Sequence, residues 1–149
     1  MGVRRASAAL LLAAATAGLA SGCGGGSAAD ARAKAEIQRN WEAFFDVSTP
    51  AAKRVGLLQD GDRFAALLRT MAANPLARQL AVKVSKVELG GDGTATVTYT
   101  LSIGGNQLLQ GAKGTAVQQG GLWKVGVAAF CGLLTLQGST PKPCPAPAK

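Results

Sequence analysis

Apolar side chains recur at helical spacing in the first half of the chain. Four of them stand at i, i+4, i+7 and i+8: Ile37, Trp41, Phe44 and Phe45. This spacing places them on one stripe of a helix. We therefore expect a helix from about Ala28 to Asp46 whose aromatic stripe packs into a core.

Two shorter helices are predicted next. Ser48-Thr49-Pro50 is typical of a helix start, because a hydroxyl can cap the first free N–H groups and Pro is tolerated in the first turn. This helix should run from Pro50 to about Leu58. The following one should run from Asp62 to Ala73 and end at Asn74-Pro75. Its apolar stripe consists of Phe64, Leu67, Leu68 and Met71.

From Leu80 onward the apolar period changes to two, which indicates β-strands. The clearest strand is Thr94 to Ile103, whose alternate positions on one face are Ala95, Val97, Tyr99, Leu101 and Ile103. In the strand before it, a phase slip at Ser85-Lys86 predicts a β-bulge. Glycine turns separate these strands from a third, Gln107 to Gln119, and a fourth, Leu122 to Phe130.

This order of elements predicts an α+β domain over residues 31–138. Three N-terminal helices should pack on one face of a curved antiparallel sheet of about four strands. The tail that follows, residues 139–149, contains Pro141, Pro143, Pro145 and Pro147. Proline at that density excludes a central strand or a helix.

Residues 1–22 have the layout of a signal peptide. Arg4-Arg5 gives a positive start, residues 8–20 are an uncharged run rich in Ala and Leu, and Ala20-Ser21-Gly22 supplies small residues for cleavage. The apolar run, about 13 residues, is shorter than the ~20 that a membrane-spanning helix needs. We therefore expect the run to be the core of an export signal.

Cys23 follows directly, and Leu19-Ala20-Ser21-Gly22-Cys23 resembles the bacterial lipobox, with Leu one place further out than usual. In that motif the Cys thiol takes a diacylglyceryl group before cleavage. We expect an exported lipoprotein anchored through Cys23 at the outer face of the cytoplasmic membrane, with residues 23–30 as lipidated Cys and flexible Gly-rich tether. Ordinary cleavage beside a structural Cys, and export through a twin-arginine signal, remain alternatives.

The chain has three cysteines, an odd number. If Cys23 carries lipid, Cys131 and Cys144 remain as a pair in a compartment where disulfides persist. A disulfide between them would hold the Pro-rich tail beside the end of the last strand.

The formal net charge is +8. Such a charge favours anionic headgroups or anionic envelope polymers as partners besides the membrane that holds the anchor. The basic residues are scattered, however, which is also typical of an ordinary solvated surface. No nucleic acid is expected, because no stacking aromatics are interleaved with the basic residues. No pattern indicates an oligomeric state.

Several segments together resemble a known family. The order of elements looks like the curved-sheet cone of the nuclear transport factor-like superfamily, which includes ketosteroid isomerases and limonene epoxide hydrolases. The chain more closely resembles the low-molecular-weight secreted antigen family of mycobacteria and other actinobacteria, over about residues 30–145. The resemblance implies the cone fold and export, and no catalytic residues. It rests on residues 41–45, 48–50, 53, 57–61, 95–99, 121–125, 130–131 and 144.

Catalytic chemistry has few candidates in this sequence. The chain contains no His, which removes the commonest general base and most zinc sites, so we expect no metal or cofactor. Five carboxylates have structural explanations at caps, turns or a solvent-facing strand: Asp46, Asp60, Asp62, Glu88 and Asp92. We expect a non-enzymatic cell-surface binding or envelope module. The alternative implied by the superfamily is a small isomerase or hydratase that uses a carboxylate with Tyr99.

An open cone would accept an apolar or amphipathic small ligand without transforming it. The other interpretation is that the same side chains simply fill the space, as cores normally do. The candidates are Trp41, Phe44, Phe45, Phe64, Leu68, Val97, Tyr99, Leu101 and Ile103.

Overall fold

The computed structural model describes residues 26–145. The expected signal peptide and Cys23 lie outside these residues. In chain order the elements are α1 (Ala28–Phe45), α2 (Ala51–Gly56), a 3₁₀ helix (Gly61–Phe64), α3 (Ala65–Ala72), a second 3₁₀ helix (Pro75–Gln79), β1 (Leu80–Leu89), β2 (Thr94–Ile103), β3 (Asn106–Gln119), β4 (Leu122–Val125) and α4 (Val127–Leu136).

Helix α1 confirms the predicted aromatic stripe. A capping box starts it: Ser27 Oγ accepts a hydrogen bond from the Asp30 N–H, and the Asp30 carboxylate accepts one from the Ser27 N–H, each at 3.1 Å. Residues 28–30 therefore belong to the helix, although the predicted tether included them. Every member of the stripe is buried, with Ile37 and Trp41 each only 1% exposed.

The next two predicted helices are shorter than expected. Helix α2 covers only Ala51–Gly56, and the segment predicted as one helix from Asp62 is a 3₁₀ turn followed by α3. Gly61, the first residue of the 3₁₀ helix, packs directly on α2, since a Cβ there would overlap the Val55 carbonyl oxygen. The backbone of the two helices thus packs too closely for a side chain at this position.

The sheet has the order β1-β2-β3-β4 with every neighbouring pair antiparallel, and it curls into a half-barrel. Strand β2 has the predicted bounds, and its inward residues from Ala95 to Leu101 are buried. The register between β1 and β2 shifts between Val84 and Lys86, which confirms the predicted bulge. The outer edge of β4 is bonded as well, because Val125 N–H donates to the Leu57 carbonyl at 2.8 Å.

The predicted fourth strand is wrong beyond Val125. The chain turns at Gly126, where a Cβ would lie 2.6 Å from the Thr115 carbonyl oxygen, and then forms α4. A short apolar run does not distinguish a buried strand from a buried helix, and residues 127–136 are almost entirely apolar. A distant side chain completes the helix start, since Gln59 Oε1 accepts a hydrogen bond from the Val127 N–H at 3.0 Å. The domain therefore has a fourth, C-terminal helix.

Helix α4 closes the core between the N-terminal helices and the sheet. Phe130 packs edge-on against Phe44 and Phe64, with ring centroids 5.4 and 5.6 Å apart. Cys131 forms the predicted disulfide with Cys144, across a Cα–Cα distance of 5.6 Å. The tail is thus bonded to a helix and not, as predicted, to the end of a strand. Within residues 26–145, no helix combines the length and the apolar content that crossing a membrane requires.

Candidate functional site

Most of the side chains predicted to line a pocket lie in the packed interior. The indole of Trp41 lies 5.7 Å from the ring of Tyr99 and leaves no space for a Cβ at Gly114. Of the nine candidates, only Leu101 and Ile103 border an open site. The other seven are at most 4% exposed: Trp41, Phe44, Phe45, Phe64, Leu68, Val97 and Tyr99.

An open site exists at one end of the sheet. It is a groove of about 590 Å³ between α3, the 3₁₀ helix Pro75–Gln79, the β2–β3 hairpin and the last turns of α4. We call it the apolar groove. Its walls consist mainly of aliphatic side chains, among them Leu67, Met71, Leu101, Leu109, Leu133 and Leu134. Each wall comes from a different element, so the groove is a product of the tertiary fold.

Three leucines at the border of the groove point into solvent. Leu76 is 64% exposed, Leu108 58% and Leu136 71%. We call them the rim leucines. Among the described residues they account for three of the four large hydrophobic side chains that are exposed; the fourth, Leu122, lies at the opposite end of the sheet. Clustered exposure of this kind usually marks an interaction site, whereas single exposed leucines do not.

The polar groups at the groove are few and neutral. Asn74, Gln137 and Ser139 contribute them, and no ionisable side chain belongs to the lining formed by residues 67–139. Asn74 is partly engaged already, because its Oδ1 accepts a hydrogen bond from the Leu76 N–H at 3.0 Å. The groove can thus orient a polar group weakly, and its capacity for contact is mostly apolar.

The disulfide organises one wall of the groove. Leu136, Gln137 and Ser139 all fall within the segment that the bond between Cys131 and Cys144 closes. The backbone of this segment folds back on α4, since the Ser139 N–H donates to the Leu134 carbonyl at 3.0 Å. The cysteine pair therefore fixes the chain that forms the wall.

None of the candidate carboxylates belongs to the groove lining. All five are exposed, and four accept hydrogen bonds, three of them from residues two positions away. Backbone and side-chain hydrogen bonds from Ser48 hold the pKa of Asp46 below its usual value, and a hydrogen bond from Lys86 does the same for Glu88. Burial raises the pKa of Tyr99. Among the described side chains, no group of three or more His, Cys, Asp or Glu is placed to hold a metal ion.

A smaller depression of about 230 Å³ lies between α1 and the bulge of β1. Lys34 and Lys86 border it, so an anion is the ligand to consider. Lys86 already pairs with Glu88 at 2.8 Å, however, and nearby Lys83 pairs with Glu42 at 3.6 Å. Because neighbouring carboxylates balance these charges, the depression is a weaker candidate than the apolar groove.

Arg54 is a buried cation that sequence reasoning missed. It is 3% exposed, its Nε donates to the Phe44 carbonyl at 2.6 Å, and its guanidinium lies 5.4 Å from the centroid of the Phe44 ring. Burial lowers the pKa of Arg54, while nearby Asp46 acts in the opposite direction. A basic residue on a short helix, next to the exposed Lys53, gives no local sign of burial. The contact ties α2 to the last turn of α1, which is a structural role.

The fold and the groove together define a small α+β domain with a filled interior and an apolar site at one end. The family described as low molecular weight antigen MTB12, C-terminal domain, matches residues 30–141, and the chain belongs to this family. The match runs from the first turn of α1 to the Pro-rich tail, so it includes every residue that lines the groove. A comparison with curated proteins finds no match to the chain.

Proposed function

We propose that this antigen-family domain is a binding module that holds an apolar or amphipathic small molecule in the apolar groove without transforming it. The observation that carries the proposal is the groove itself, about 590 Å³ and walled by aliphatic side chains. Small-molecule sites in proteins typically occupy about 300–1,000 Å³ and are mainly apolar, with a few polar groups that orient the ligand. The groove has this size and composition.

Binding is favoured over catalysis by the chemistry of the lining. General acid–base catalysis needs a titratable group within hydrogen-bonding reach of the substrate. The groove is lined by neutral side chains, and the chain contains no His. The alternative of a carboxylate-dependent isomerase or hydratase requires an acid beside Tyr99 in an open site. Tyr99 is 3% exposed and packs against Trp41, so no observation favours that alternative.

Export and anchoring through Cys23 are part of the same proposal. A disulfide between the other two cysteines fits an oxidising compartment outside the cytoplasm. Replacing Cys23 with Ala should release the protein from membranes or leave it uncleaved, as fractionation would show. Unchanged membrane fractionation of the Cys23→Ala protein would contradict the anchor.

We propose further that the curled sheet and its covering helices are a nuclear transport factor-like cone. The support is the element order, with helices before an antiparallel half-barrel sheet and a packed aromatic interior. An experimentally determined structure superposed on members of that superfamily would test this assignment. A different strand order would exclude it.

Ligand binding is tested with a variant that fills the groove. Ala77 lines the groove, so Ala77→Trp should displace a fluorescent long-chain fatty acid by occupying the apolar volume. Ala52, exposed on α2, gives the matched control Ala52→Trp, which adds the same side chain outside the groove. We expect the control to bind the probe like the wild type. Equal binding by all three proteins, or no binding by the wild type, would contradict the proposal.

A further inference from the structure

We infer that the rim leucines form a docking surface for an anionic lipid bilayer, separate from the predicted anchor at Cys23. Leu76 lies in the 3₁₀ helix Pro75–Gln79, Leu108 near the start of β3 and Leu136 at the end of α4. Three separate elements thus place a leucine at the mouth of one groove, and more than half of the surface of each leucine is exposed. Leucines at this exposure gain free energy by entering the apolar boundary of a bilayer.

The charge of the same end of the domain complements an anionic surface. Residues 63–87 and 93–145, which contain every residue of the groove lining, include no Asp or Glu. Basic residues do occur in these segments. Arg78 directly follows the lining residue Ala77, and Lys142 follows Ser139 by three positions. Both are exposed. Exposed basic residues beside an apolar surface attract anionic headgroups.

Two acidic side chains, Asp60 and Asp92, lie toward the other end of the sheet, whereas Glu42 lies beside the middle of β1 and accepts a hydrogen bond from the Val84 N–H at 3.0 Å. Asp60 Oδ1 accepts a hydrogen bond from Gln119, the last residue of β3, and Asp92 lies in the turn between β1 and β2. Thr94 and Ile103 mark the two ends of β2, about 30 Å apart at the usual rise of a strand. Asp60 and Asp92 therefore lie far from the groove.

Helix α1 enters the domain at the end opposite the groove. Glu36 accepts a hydrogen bond from the Trp123 N–H at 3.1 Å, and Asn40 donates to the Trp123 carbonyl at 2.8 Å. Trp123 lies two residues beyond the β3–β4 turn, opposite the groove. The predicted anchor at Cys23 precedes the end of α1 that lies away from the groove, so membrane binding by the rim leucines is a separate property that can be measured without the anchor.

The charge also decides between a bilayer and a second copy of the chain. Two copies facing each other through this end would bring like charges together, which opposes association. An anionic bilayer would pair its headgroups with the basic residues and bury the rim leucines in the same contact. Apolar insertion combined with basic attraction is the usual mode of reversible binding to membrane surfaces.

Vesicle sedimentation tests the inference. The protein used is the chain from residue 23 onward with Cys23→Ser, because Ser at this position cannot receive the lipid. We expect this protein to bind vesicles that contain both phosphatidylcholine and phosphatidylglycerol, and to bind vesicles of phosphatidylcholine alone poorly. High salt should weaken the binding, because salt screens the attraction between charges. Replacing all three rim leucines with Ser should lower the partition constant by about tenfold or more. Leu122→Ser, at the fourth exposed leucine, is the matched control and should bind normally. Circular dichroism verifies that each variant is folded.

Two results would overturn the inference. One is equal vesicle binding by the Leu122→Ser control and the triple rim variant, or no binding by either. The other is a dimer in analytical ultracentrifugation that the triple rim variant abolishes, because the rim would then serve a second copy. The inference uses the rim of the groove and does not depend on ligand binding, so binding of the fatty-acid probe is measured separately on the same wild-type protein. Vesicle binding without any probe binding would leave the docking surface standing and remove the ligand.

Discussion

Gly114 lies directly under the indole of Trp41. A Cβ on Gly114 would come within 2.7 Å of the Trp41 Cη2 atom and 3.1 Å of the Ala129 Cβ. Three elements, α1, β3 and α4, therefore meet at a position where only a hydrogen atom fits. Trp41 is 1% exposed, so its ring has no free space to move into.

Gly114→Ala should lower the free energy of unfolding by about 1–3 kcal/mol, the usual cost of overpacking a core. Gly132→Ala is the matched control. Gly132 lies within α4, and a Cβ there meets nothing within 4 Å. The control should be neutral or more stable by up to about 1 kcal/mol, because Ala favours a helix over Gly. Urea unfolding of both proteins measures the difference, and similar values would mean that the close packing at Trp41 is wrong.

Arg54→Ala should destabilise the domain by about 2 kcal/mol or more. The substitution removes the hydrogen bond to the Phe44 carbonyl and the packing on the Phe44 ring, and leaves a buried carbonyl without its donor. Lys53→Ala, at the exposed neighbouring position, should change stability by no more than about 0.5 kcal/mol. Thermal unfolding of the two variants tests this. A stable Arg54→Ala protein would show that the link between α1 and α2 contributes little.

Asp46 should make stability depend on acid pH. Hydrogen bonds from Ser48 hold the pKa of Asp46 below its ordinary value in the folded protein, and Arg54 adds a favourable charge. A carboxyl with a depressed folded pKa stabilises the protein above the unfolded pKa, and this contribution is lost as pH falls through the folded pKa. Asp46→Asn should therefore be less stable than the wild type near neutral pH, and the difference should narrow as the pH falls below the ordinary pKa of Asp, about 3.9. Urea midpoints across this range measure the effect; a constant gap would contradict the assignment.

The cysteine pair should stabilise both the fold and the wall of the apolar groove. Replacing Cys131 and Cys144 with Ser should cost about 3 kcal/mol, because the disulfide restricts the unfolded chain. It should also weaken fatty-acid binding, since the groove residues Leu136, Gln137 and Ser139 lie in the closed segment. Intact mass after alkylation, with and without reduction, establishes the bond in the exported protein. Two alkylated thiols before reduction would contradict it.

Local pattern was sufficient to predict some elements. Strand β2 alternates between apolar and hydroxyl side chains, with one face buried and the other mostly half-buried, so its bounds could be read directly. The phase slip near Ser85 likewise marked the bulge, because one extra residue reverses the alternation. In α1 the aromatic stripe and the polar remainder coincide with a buried and a solvated face.

Helix α4 could not be predicted in this way. Its run of apolar residues is compatible with a strand or a helix when both sides are buried. The choice depends on Gly126, which packs against the Thr115 carbonyl, and on Gln59, which caps the helix from a distant loop. These contacts exist only in the folded chain.

The apolar groove escaped prediction for a related reason. Its rim leucines lie far apart in the sequence, and none belongs to a motif. The aromatic residues gave the strongest local signal, and they fill the core because they bury the largest apolar area. What remains open is the end of the sheet that α4 and the 3₁₀ helix Pro75–Gln79 border without covering.

Native mass spectrometry of the protein purified from its own envelope tests the proposed function most directly. The wild type should retain an apolar or amphipathic small molecule, and the groove-filled Ala77→Trp protein from the same source should carry none. Ala52→Trp should retain the molecule as the wild type does. A wild type that carries no small molecule, or an Ala77→Trp protein that carries the same one, would contradict binding in the apolar groove.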